Sequence, residues 1–144
     1  MIRFIFAALF SVVAVSAQAQ VEIQEVTSPG GINAWLVEDR SIPFLALEIR
    51  IKGGASLDVA GKRGAANLMT GLLEEGSGDM DARTFQTARE GLAASFGFDI
   101  YDDSFSVSAR VLTENRDEAL ALLRSALIDP TFDDDAVERV RAQV

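Results

Sequence analysis

Apolar and polar residues alternate along the early part of the chain with the two-residue period of β-strands. Residues 21–26 place Val21, Ile23 and Val26 in such a pattern, and residues 32–37 form a second run. Ser28-Pro29-Gly30-Gly31 between them is turn chemistry, so a hairpin is expected there. The clearest strand is Phe44–Lys52, where Leu45, Leu47, Ile49 and Ile51 share one face and Ala46, Glu48, Arg50 and Lys52 the other. Gly53-Gly54 ends it. From residue 64 to 75 the period lengthens. Ala65, Leu68, Met69, Leu72 and Leu73 make one helical stripe, and Gly76-Ser77-Gly78-Asp79 stops it. A second helix is expected over residues 82–96, with Phe85, Ala88, Leu92 and Phe96 aligned and Gly97 as its C-cap. Strands over residues 98–101 and 105–112 come next. A helix over Arg116–Ile128 then runs up to Pro130, and another opens at Asp133-Asp134-Asp135 with its pattern still running at Val144. No internal repeat or low-complexity tract interrupts this order. Strands followed by helices predict an α+β fold, a mostly antiparallel sheet covered by helices on one side. The uncapped last helix leads us to expect a truncation at Val144.

The first nineteen residues stand outside that fold. Arg3 precedes a nearly unbroken apolar run from Phe4 to Val15, and Ala17-Gln18-Ala19 has the A-x-A form of a secretory cleavage site. The run is about twelve residues, whereas a spanning helix needs about twenty. Residues 1–19 are therefore expected to be a signal peptide and residues 20–144 the mature, exported chain, with no stable membrane anchor once the leader is removed. Export without cysteine points to a bacterial periplasm.

Composition narrows the chemistry. The chain has 22 acidic against 13 basic side chains, no cysteine and no histidine. Disulfides, thiolate metal sites, cysteine nucleophiles and Ser-His-Asp triads are excluded. The acidic balance argues against nucleic acid as a partner, because phosphate binding needs clustered Lys and Arg. No G-x-S-x-G, P-loop or G-x-G-x-x-G motif occurs. The pairs Glu74-Glu75 and Asp102-Asp103 and the triplet at Asp133 fit helix ends and turns better than paired catalytic carboxylates. Lys62-Arg63 reads as a solvated helix start, and Trp35 and Tyr101 as half-buried strand residues packed in the core.

The ordered set of features resembles the pitrilysin/insulinase family of inverted-zincin metallopeptidases. Residues 28–38 match the family's opening turn and strand. Pro43, a long strand and the Gly-rich turn at residues 53–58 follow in order. Gly64-Ala65-Ala66-Asn67-Leu68-Met69-Thr70-Gly71-Leu72-Leu73-Glu74-Glu75-Gly76-Ser77 stands where active members carry Gly-Leu-Ala-His-Leu-Leu-Glu-His and a closing Gly-Ser or Gly-Thr. Thr84-Phe85, Gly97, the strand ending at Leu112 and Asp129-Pro130-Thr131-Phe132 complete the match, which covers nearly all of the mature chain.

The resemblance implies the N-terminal part of a pitrilysin-type domain, and also the loss of its chemistry. Active members bind zinc with two histidines at i and i+4, and a glutamate at i+3 activates the bound water. Those positions are Asn67, Gly71 and Thr70. The family's third ligand, a glutamate further on, falls near or beyond Val144. No catalytic residue, metal ligand or cofactor is therefore expected in this chain. Some family peptidases pair a zinc-bearing chain with a homologue that lacks the motif. The resemblance thus implies a non-catalytic subunit that helps form a peptide-binding chamber, with zinc in a homologous partner. A stand-alone peptide-binding protein is the alternative; a cofactor-free carboxylate enzyme is a weaker one. A glycine inside the motif helix costs about 1 kcal/mol relative to alanine. Its presence at position 71 is explained equally by close approach of another backbone and by drift.

Overall fold

The computed structural model describes residues 22–143. The expected signal peptide lies outside that span. The described chain falls into two compact units, one ending at Ser41 and the other beginning at Ile42.

The first unit is a hairpin. Strands β1 (Ile23–Thr27) and β2 (Asn33–Val37) pair antiparallel, with Glu25 opposite Trp35. Its turn closes as the sequence predicts. The Gly31 amide donates to the Ser28 carbonyl at 2.9 Å, and the Ser28 hydroxyl accepts from the Ile32 amide at 3.0 Å. Gly31 takes φ +83°, a left-handed conformation that suits glycine. The expectation that Trp35 packs in a core is corrected, since 80% of its surface is exposed.

The second unit holds a three-stranded antiparallel sheet in the order β3-β7-β6, formed by β3 (Phe44–Lys52), β6 (Ser95–Ile100) and β7 (Ser104–Leu112). Ile49 faces Val107, and Phe98 faces Val107 from the other side. Between β3 and β6 lie α1 (Ala65–Leu72), a short hairpin of β4 (Gly76–Ser77) and β5 (Met80–Asp81), and α2 (Ala82–Gly91). Two helices, α3 (Arg116–Ile128) and α4 (Asp134–Arg141), close the unit. The core lies between the sheet and the pair α2 and α3. Phe85 of α2 and Val107 of β7 are fully buried, packed with Val111, Ala119, Leu123 and Ala126. Burying one such large apolar side chain contributes about 1.5–3 kcal/mol. This is the α+β arrangement that the alternation predicts, with helices covering one face of the antiparallel sheet.

Three local expectations change. Helix α2 stops at Gly91 rather than at residue 96, because Ala93 takes φ +49° and reverses the chain. The Ala94 amide donates to the Arg89 carbonyl at 3.1 Å and the Ala93 amide to the Glu90 carbonyl at 2.9 Å, a Schellman closure with alanine in the position usual for glycine. Leu92 and Phe96 still reach the core, the latter from β6. Gly97 is therefore not a C-cap. It pairs with Ser108 inside the sheet, where a Cβ would stand 2.6 Å from the Ser108 hydroxyl oxygen. In β3 the buried stripe weakens along the strand: Leu45 and Leu47 pack against the core, while Ile49 and Ile51 are exposed. Tyr101, expected in the core, is also exposed, at the turn between β6 and β7.

Candidate functional site

The site to be tested is α1 and what surrounds it. Its first turn has no local cap: Gly64 precedes it with φ +93° and no side chain to offer. Asp58 does the work from six residues upstream. One carboxylate oxygen accepts from the Gly64 amide at 2.6 Å and the other from the Ala66 amide at 3.1 Å, satisfying donors that the helix start leaves open.

Residues 53–58 that deliver Asp58 are themselves fastened to the β6–β7 turn. The amides of Gly53, Ala55 and Ser56 donate to the carbonyls of Asp103, Tyr101 and Asp102 at 2.7, 2.8 and 2.9 Å. Gly54 is forced by this latch, since a Cβ there would lie 2.0 Å from the Tyr101 carbonyl oxygen.

Beyond its capped start, α1 packs against β6 and α4. The i, i+3, i+4 spacing brings Asn67, Thr70 and Gly71 to one face, as the sequence requires. Asn67 is exposed. Thr70 is buried, and its hydroxyl donates to the Asn67 carbonyl at 2.8 Å, a bond turned back into the helix. Gly71 lies against α4, where a Cβ would meet Val140 Cγ1 at 2.7 Å. Leu72, Ala136 and Val140 form a small buried cluster between the two helices.

The end of α1 is held by the adjacent glutamates, which diverge. Glu74 pairs with Arg89 of α2, half-buried on both sides, and Arg89 also donates to Gln86. Glu75 accepts from Arg139 of α4 at 2.6 Å. That hydrogen bond and the carboxylate charge raise the Arg139 guanidinium above its ordinary value. Both acidic residues are thus structural fasteners.

Beside α1, strand β6 pairs with β7 on one edge only; its other edge is unpaired among the described residues. A shallow hollow on the sheet, lined by Ala46, Glu48, Ser95, Ser108 and Arg110, is too open to enclose a ligand.

The zinc that the resemblance associates with this helix does not fit these residues. Asn67 is a poor zinc ligand, Thr70 is no carboxylate base and is already hydrogen-bonded, and Gly71 has no side chain. The whole chain holds no histidine or cysteine. Among the described residues, no three acidic side chains gather where they could hold a metal ion. Asp58, Val140 and the β6 edge escaped the sequence reading. Asp58 is too far from the helix start to form a local capping motif, and the other two become neighbours of α1 only through tertiary packing.

An α1 stripped of ligands, set beside an antiparallel sheet under α2 and α3, defines a peptidase scaffold without its metal centre. Residues 34–144 match the family described as insulinase (peptidase family M16), and the chain belongs to that family. At the positions of the family's two histidines and glutamate it carries Asn67, Gly71 and Thr70, so the motif's metal-binding and catalytic side chains are missing from this chain. A curated relative, the "non-peptidase homolog YmxG" of Helicobacter pylori, is 29% identical over 107 residues, covering 74% of this chain and 25% of that protein. Among solved structures, a peptidase M16 inactive domain from Pseudomonas fluorescens is 30% identical with a TM-score of 0.77, over 85% of this chain and 30% of that one. A protease from Helicobacter pylori shares the fold, with a TM-score of 0.70 and 17% identity over 86% of this chain and 30% of its own. The chain therefore spans between a quarter and a third of the length of these relatives.

Proposed function

We propose that this chain serves as a non-catalytic subunit of a periplasmic pitrilysin/insulinase-type zinc metallopeptidase. In this role it forms part of a peptide-binding chamber in which a homologous zinc-bearing chain performs the proteolysis. The observation that carries the reading is the contact between α1, without metal ligands, and β6, with an edge unpaired among the described residues. An extended peptide can join such an edge through main-chain hydrogen bonds, while its alternate side chains are read by the surroundings. The motif helix has lost its chemistry and kept its position, capped by Asp58 and held through Glu74 and Glu75. The non-peptidase and inactive descriptions of the relatives support a member that works without hydrolysis. The leader-like residues 1–19 and the cysteine-free, acidic chain support export to the periplasm.

Purification of the full-length gene product from the periplasm tests the reading. Recovery of a zinc-containing homologue with EDTA-sensitive peptidase activity is expected. A monomer that binds peptides with no such partner supports the stand-alone peptide-binding alternative instead. Peptide cleavage by this chain alone, surviving a chelator, overturns both.

A further inference from the structure

A ligand lost by drift leaves unused space behind it. Gly71 is exposed, but on the side facing α4 its surroundings show the opposite. Carbon atoms rest at about 3.5–4.0 Å from one another, yet a Cβ on Gly71 would stand 2.7 Å from Val140 Cγ1. Val140 has little room to yield. It is 5% exposed, packed with Leu72 and Ala136, and a β-branched residue within a helix keeps essentially one side-chain rotamer. Helix α4 is also held in place one residue earlier, by the 2.6 Å bond from Arg139 to Glu75.

We infer that α4 has taken the space in which an active member of the family carries its second zinc ligand, so that restoring the missing side chains on α1 does not restore the metal site. Although Gly71 is exposed, a side chain at position 71 meets Val140 Cγ1 at its first carbon. The inference rests on the family assignment and on this contact. It holds whether or not a zinc-bearing partner exists, so failure of the subunit reading leaves it standing.

A thermal-unfolding cycle on the full chain tests it. Alanine normally improves on glycine inside a helix. Here Gly71→Ala is expected to lower Tm by at least about 4 °C, the shift that 1 kcal/mol produces in a domain near this size. In a Val140→Ala background the same change is expected to leave Tm unchanged or raise it. Should Gly71→Ala fail to fold, recovery of folding in Gly71→Ala/Val140→Ala supports the inference equally. A Gly71→Ala protein as stable as the parent, or a loss of equal size in both backgrounds, overturns it. A Co²⁺-dependent rise in Tm for Asn67→His/Gly71→His with Val140 intact overturns it as well, because histidine would then fit beside an unaltered α4.

Discussion

Two apolar clusters lie in the second unit, and they differ in what holds them. The larger one joins the sheet to α2 and α3 through Phe85, Phe96, Val107, Val111, Leu122 and Leu123. It is a broad contact of side chains excluding water, and no motif position belongs to it. The smaller one joins α1 to α4 through Leu72, Ala136 and Val140. It is too small to fix the helices by burial alone. Directed polar contacts surround it: Asp58 at the start of α1, and Glu74 and Glu75 at its end. A peptidase scaffold can therefore lose its metal site and keep its fold, because the mass of the core lies away from the helix that carries the chemistry.

The comparison can be broken most directly at its heavier side. Phe85→Ala leaves a cavity at a fully buried position and is expected to cost about 3–5 kcal/mol, read by denaturant unfolding. Asp58→Ala removes the distant cap of α1 and is expected to cost about 1 kcal/mol. If it costs as much as Phe85→Ala, the division between the clusters fails.

A smaller effect of opposite sign is expected at the end of α2. Ala93→Gly relieves a left-handed alanine and is expected to raise stability by about 0.5–1 kcal/mol in the same assay. The smallest effect concerns pH. The Asp81 carboxylate accepts the Thr84 amide at the start of α2, and hydrogen bonding from the Thr84 side chain first and its amide second holds the Asp81 pKa below the ordinary 3.8. A carboxyl lowered by folding stabilises above its unfolded pKa, and that contribution is lost as pH falls through the folded value. Asp81→Asn is expected to flatten this part of the acid limb in melts run downward from about pH 5.

The sequence made legible those features that local pattern determines. Alternation marked β3 and β7, the Ser28-Pro29-Gly30-Gly31 turn marked the hairpin, and the run Arg116–Ile128 stopping before Pro130 marked α3. The positions of Asn67, Thr70 and Gly71 on one helical face were equally readable. The end of α2 was not. Leu92 and Phe96 continue a helical stripe in composition, but the chain reverses at Ala93, a stop made by conformation where no glycine announces it. Gly97 looked like that stop and serves instead to admit the Ser108 side chain. Trp35 and Tyr101 were placed inside because aromatic residues in strands usually pack, and both lie exposed. The β4–β5 hairpin was too short to leave a periodic signal. At the site, the glycine at 71 was visible and its reason was not, since Val140 is separated from it by most of the second unit.

The latch between residues 53–58 and the β6–β7 turn has a consequence for motion. Five amides, those of Gly53, Ala55, Ser56, Gly64 and Ala66, depend on one short loop for their acceptors or for their donors' placement. Solvent cannot reach the first three by lifting the loop without also withdrawing Asp58 from the other two. Their protection against hydrogen exchange is expected to rise and fall together, so that the start of α1 and the β6–β7 turn open to water in a single event.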